Sequence, residues 1–202
     1  MRLADAEHTS RPWRIHRLAP DFRLEDVWAL PTPGRREDFA RLVEGFASDD
    51  PGQGPSAIVR LLFTLRWKLG ELLGWDGPAS GLGTRVPTLR DRLPADLAQT
   101  SPPRFVALPF EPLYITEDEF AAEIANRTVH GVLHLGWVAD GDGAYRGQMA
   151  VLVKPNGLLG RAYMAAILPF RHLIVYPQLM RQIEQSWKAD ALGARAPRAR
   201  AA

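Results

Sequence analysis

Residues 120–154 read FAAEIANRTVHGVLHLGWVADGDGAYRGQMAVLVK. Phe120 to Val138 is rich in β-branched residues and contains no proline, which predicts one or two strands with a bend near Asn126. Asp140-Gly-Asp-Gly143 carries the residues of a hairpin turn. Tyr145 to Lys154 is then the returning strand, with Gln148, Ala150, Leu152 and Lys154 on one face. Gly131 and Gly147 mark bulges or places where another element packs close.

After the hairpin, Pro155-Asn-Gly157 breaks the sheet, and Asn156 is placed to cap the next helix. Leu158 to Trp187 has a helical pattern interrupted at Pro169 and Pro177, each of which removes a backbone donor and predicts a kink. Leu159, Tyr163, Ile167, Phe170, Ile174, Met180, Ile183 and Trp187 are placed to line its sheet-facing side. Before the hairpin, Leu113 to Thr116 reads as a short strand. Gly77 to Pro109 is a long Gly/Pro-rich segment with a helical turn near Arg90, and such segments commonly serve as a cover. Ser56 is a plausible N-cap for a helix to about Leu73, ended by Gly74, and Glu37 to Ala47 carries the helical stripe Phe39, Leu42, Val43, Phe46. Asp21 to Leu30 is a strand with Phe22, Leu24, Trp28 and Leu30 on one face and Asp26 among them. Strand, two helices, irregular cover, antiparallel strands and a long final helix make an α+β fold.

The 202 residues, 46% hydrophobic, suit a single domain over 18–187, with residues 1–17 a disordered arm and 188–202 a disordered basic tail. The total charge of +2 sits in those ends. Arg2, Arg11, Arg14 and Arg17 outweigh Asp5 and Glu7, while Lys188, Arg195, Arg198 and Arg200 outweigh Asp190. What remains is an acidic body, which argues against a nucleic-acid groove. The absence of cysteine excludes disulfides and thiolate chemistry and favours the cytoplasm. The polar N-terminus lacks a signal-peptide core, and no run of apolar residues is long enough to span a membrane. No G-x-G-x-x-G turn, P-loop or nucleophile elbow is visible, so no cofactor is expected.

His130 and His134 are four residues apart. On one strand that spacing spans about 13 Å, too far to share a metal ion, and no metal site is expected. With Asn126 and Thr128 they make one polar strand face, and Val129, Leu133, Leu135 and Trp137 make the apolar one. The polar face looks to solvent, or it lines a cavity and orients a ligand or holds a general base. Arg161, Tyr163, Arg171 and His172 lie on the final helix among apolar neighbours, and Asp26 is a candidate partner for one of the arginines, since a lone buried charge is costly. Glu123 stands upstream of the histidines.

The stretch Lys154-Pro-Asn-Gly-Leu-Leu-Gly-Arg-Ala-Tyr-Met-Ala-Ala-Ile-Leu-Pro-Phe-Arg-His-Leu-Ile-Val resembles the signature of the DUF2867 family. The segment Glu123-Ile-Ala-Asn-Arg-Thr-Val-His-Gly-Val-Leu-His-Leu is similar to that family's other recurring block, and Arg66 to Gly74 and the opening strand with Asp26 are weaker matches. The resemblance implies a helix-grip fold of the START and Bet v 1-like kind, a curved antiparallel sheet wrapped on a long kinked C-terminal helix. The function expected is binding of a small apolar or amphipathic molecule between sheet and helix. The pocket candidates are Asp26, Trp28, Glu123, Asn126, Thr128, His130, His134, Arg161, Tyr163, Arg171 and His172. The alternatives are an enzyme (a cyclase, hydratase or hydrolase) using His and Asp for acid–base chemistry on a hydrophobic substrate, and a non-catalytic interaction protein.

Overall fold

The computed structural model describes residues 1–48, 82, 86–106, 108–126 and 128–195, without the side chains of 159, 162, 163, 166, 170 and 191–195. The helix expected over 56–73 lies outside the described residues, as does the loop before it. Five strands form one curved, open, antiparallel sheet: β1 Arg23–Ala29, β2 Glu111–Ile115, β3 Glu119–Ala125, β4 Val129–Ala139 and β5 Tyr145–Pro155, in the order β1-β5-β4-β3-β2. The β3–β4 bend falls at Asn126, whose side-chain oxygen accepts from the Thr128 and Val129 N–H groups. The β4–β5 turn has positive φ at Gly141, Asp142 and Gly143, which explains its glycines. From Val129↔Pro155 to Ala139↔Tyr145 the pairing of β4 with β5 is uninterrupted, so neither Gly131 nor Gly147 makes a bulge. Gly147 is instead a close approach: a Cβ there would stand 2.8 Å from Leu42 and 2.9 Å from Leu30.

Both faces of the sheet are covered. The first carries Val132, Val138, Ala150, Leu152 and Ala121, and it packs against Trp13, Ile15 and Leu18 of the N-terminal segment and against Leu89 and Leu97. Residues 1–17, expected as a disordered arm, therefore form a layer of the core. They contain the short helices α1 Ala6–Thr9 and α2 Ile15–Leu18. The Met1 ammonium donates to the Ala29 carbonyl, and the Leu3 N–H donates to Val27. The arginines that suggested a solvated arm are interleaved with the buried His8, Trp13 and Ile15 and the half-buried Leu3, whose packing outweighs that impression. The described part of the Gly/Pro-rich segment covers the same face with a 3₁₀ turn, Leu89–Arg92, and α4, Ala95–Ala98.

The second face carries Leu133, Leu135, Trp137, Phe120, Ala122 and Met149. It packs against α3, Phe39–Ala47, and the final helix. That helix runs as α5, Gly157–Phe170, a π-helical turn, Arg171–Val175, and α6, Tyr176–Arg195, well into the tail expected to be disordered. Asn156 does not cap α5 with its side chain, which donates to the Asn126 carbonyl instead. The interruption expected from Pro169 takes the form of the π turn just after it, and Pro177 falls in the first turn of α6.

A bulge between Leu24 and Asp26 breaks the alternation of β1. Phe22, Leu24 and Val27 pack on the first face, whereas Trp28 and Leu30 pack on the second. The single-faced stripe expected from period two is therefore split, because the bulge turns everything after it over.

Candidate functional site

The polar face of β4 points neither to solvent nor to the final helix. It lies beneath the N-terminal layer, and its polar groups bond to one another. Glu119 and Glu123 of β3 each reach diagonally to a histidine of β4. His134 Nε2 lies 3.1 Å from Glu119 Oε1, and His130 Nε2 lies 2.7 Å from Glu123 Oε2. Each carboxylate also anchors the layer above. Glu119 accepts from the Arg14 and Ile15 N–H groups and from the Tyr114 hydroxyl, at 2.9, 3.0 and 2.5 Å. Glu123 accepts from the Leu89 N–H at 3.0 Å and from the Thr88 hydroxyl. His134 Nδ1 meets His8 Nε2 at 3.1 Å, and the Phe22 ring stands edge-on to His130 at 4.8 Å.

Burial holds the His8 imidazole down at about 3 and lowers His134 as well, so both rings are neutral. Burial alone would raise the two glutamates, but the hydrogen bonds from His134, Tyr114 and Arg14 to Glu119, and from His130, Thr88 and Leu89 to Glu123, bring both below the usual range. Two ionised carboxylates, each bonded to an imidazole, fasten one layer to another.

The second face holds a different arrangement. A cleft of about 280 Å³ lies between α3, the sheet and α6. Leu133 and Met149 form its floor, Leu42 and Phe46 one wall, and Leu179 and Ile183 the other. Arg41 stacks over Trp187 at 3.8 Å and donates to its carbonyl at one end. Tyr176 also lines the cleft, and it belongs to a polar cluster built on Asp26. Asp26 is fully buried. Its Oδ1 is 2.6 Å from His172 Nε2, and its Oδ2 accepts from Tyr176 at 2.9 Å and from Arg171. Arg171 donates to the Tyr176 oxygen at 2.8 Å, and Arg2 Nε lies 3.7 Å from Oδ1. Burial keeps the Tyr176 phenol protonated, its ionisation pushed well above the ordinary range.

Of the sequence candidates, Asp26, Arg171 and His172 are brought together, with Trp28 beside them, its ring 4.7 Å from that of Tyr176. Glu123, His130 and His134 lie on the opposite face of the sheet. Thr128 is buried and bonds to Asn126 at the β3–β4 bend, and Arg161 is exposed. The side chain of Tyr163 lies outside the described residues. Among the described residues no group of three or more His, Asp or Glu side chains is placed to hold a metal ion, and no helix is long and apolar enough to cross a membrane. Sequence reasoning missed Tyr176, Glu119 and His8. Tyr176 stands four residues after His172 on the helix, and Glu119 four before Glu123 on its strand, the spacings that put each on its partner's face.

A family model described as "Protein of unknown function (DUF2867)" matches residues 18–178. The chain belongs to the DUF2867 family. No curated protein and no solved structure matches it. The DUF2867 match contains the whole Asp26–Arg171–His172–Tyr176 cluster and both glutamate–histidine pairs, and it begins after His8, Arg14 and Ile15.

Proposed function

We propose that this DUF2867 chain binds a small apolar or amphipathic molecule in the cleft between the sheet and its C-terminal helix. The observation that carries the reading is the cleft itself, walled by apolar side chains, with Tyr176 of the Asp26 cluster in its lining. Its volume of about 280 Å³ lies just below the range of roughly 300–1,000 Å³ common for small-molecule sites. A helix-grip reading of the fold supports it. In such a fold the first strand pairs with the last, a meander lies between, and the C-terminal helix crosses the inner face, which agrees with the order β1-β5-β4-β3-β2 and α6 across it. A tyrosine that links an apolar trough to a buried charged cluster suits a ligand with one polar group.

Decanoate is a suitable probe. Native mass spectrometry of the purified chain is expected to show one decanoate bound, with quenching of Trp187 fluorescence. Ile183→Trp, which fills the cleft from the helix side, should abolish that binding while leaving the urea midpoint unchanged. Equal binding by this variant sinks the reading.

A further inference from the structure

We propose that His172 is a general base, positioned by Asp26, for proton transfer on an amphipathic molecule whose apolar part occupies the cleft. The proposal rests on the binding reading and adds chemistry to it. Three imidazole–carboxylate pairs exist among the described residues, and they differ in access. His130 and His134 have side chains 4% and 0% exposed, so nothing outside the protein reaches them. The His172 side chain is 24% exposed, while its partner Asp26 is 0% exposed. A buried acceptor behind an accessible ring is the arrangement a general base requires.

The hydrogen bond fixes the tautomer. Asp26 Oδ1, at 2.6 Å, takes the proton-bearing Nε2. The lone pair is then on Nδ1, which makes no hydrogen bond among the described residues and is not one of the sealed, unpaired buried atoms. The second carboxylate oxygen is held by Arg171 and Tyr176, so the carboxylate cannot swing away from the ring.

Two irregularities of the chain meet at Asp26. The β1 bulge turns it onto the helix face, and the π turn opposite lets the consecutive residues Arg171 and His172 both reach it. In a regular α-helix, neighbours point about 100° apart. Bulges and π turns each give up regular hydrogen bonding, and both recur at functional sites. Here they serve one carboxylate. Tyr176 joins the pair to the cleft: its ring lines the cleft and stands 5.9 Å from the His172 ring.

In the step inferred, an acidic C–H or O–H bond of the bound molecule breaks. The proton goes to Nδ1, the electron pair stays on the molecule, and Asp26 offsets the imidazolium charge. Return of the proton to another atom of the same molecule restores the ring, so no co-reactant is needed. The charged or titratable groups around His172 are Arg2 from the arm, Glu25 and Asp26 from β1, and Arg171 and Tyr176 from the final helix.

Carbethoxylation by diethyl pyrocarbonate, followed by peptide mass mapping, tests the proposal on the intact chain. His172 should react first, ahead of the half-buried His16, and saturating decanoate should slow it to the background of His172→Asn. In Asp26→Asn the advantage of His172 over His16 should shrink by about threefold or more, because the ring loses the acceptor that holds it in one tautomer and orientation. Should that variant fail to fold, decanoate protection of the native chain decides the matter. His172 reacting no faster than His16, or reacting unprotected while decanoate is bound, overturns the proposal. Failure of decanoate to bind at all overturns the binding reading itself.

Discussion

Glu119 uses both carboxylate oxygens on two backbone N–H groups, a phenol and an imidazole. An amide in its place presents a donor where the neighbours are donors as well. Glu119→Gln is therefore expected to destabilise the fold by about 2–4 kcal/mol in urea unfolding. Tyr114→Phe removes one partner and leaves the carboxylate its others, so a loss of only about 1 kcal/mol is expected. If the two variants cost the same, Glu119 is not the hub. In the Asp26 cluster, Tyr176→Phe removes a donor to Asp26 and an acceptor for Arg171, with an expected cost of about 1–2 kcal/mol.

Among the elements, the N-terminal layer has little tolerance for added volume. A Cβ on Gly136 of β4 would stand 2.7 Å from the Trp13 ring. Gly136→Ala should thus displace the layer and cost about 1–3 kcal/mol, with Trp13 fluorescence shifting to the red. A variant as stable as the native chain would show that Trp13 can move. The hairpin strands were legible in the sequence from their alternation and turn glycines, and the final helix from its 3.6-residue apolar pattern. The layer was not, since four arginines mask a few widely spaced anchors whose partners lie on β1, β3 and β4. The facing of β1 was misread because one extra residue, invisible to periodicity, inverts the rest of the strand. For the candidate site, Asp26 as a partner of a final-helix arginine followed from the cost of a lone buried charge. That His130 and His134 bond to β3 glutamates requires the strand register, which composition does not carry.

At the scale of the whole molecule, the buried ionisable groups set an acid limit. His8 is held at about 3 against an ordinary 6.5, so between those values the unfolded chain carries a proton that the folded chain refuses. Stability must then fall as pH falls below 6.5, by up to about 1.4 kcal/mol per unit for each such ring. His134, also lowered, acts in the same sense. Glu119 and Glu123 are depressed carboxylates: their contribution is present above their ordinary range and is lost on further acidification. Urea midpoints should decline steadily from about pH 6.5 toward about pH 4.5, and a flat profile would contradict the buried neutral histidines. His8→Phe should flatten part of that slope.

Pairing the first strand with the last has a consequence for synthesis. His8 meets His134 across 126 residues, and Asp26 meets Arg171 across 145. At roughly 5–20 residues per second, a ribosome needs about 7 to 30 seconds to deliver the second partner after the first. During that wait β1 has no neighbour to pair with and the arm has no sheet to lie on. The nascent chain must remain soluble without its core, and a product stopped before the final helix cannot assemble the Asp26 cluster.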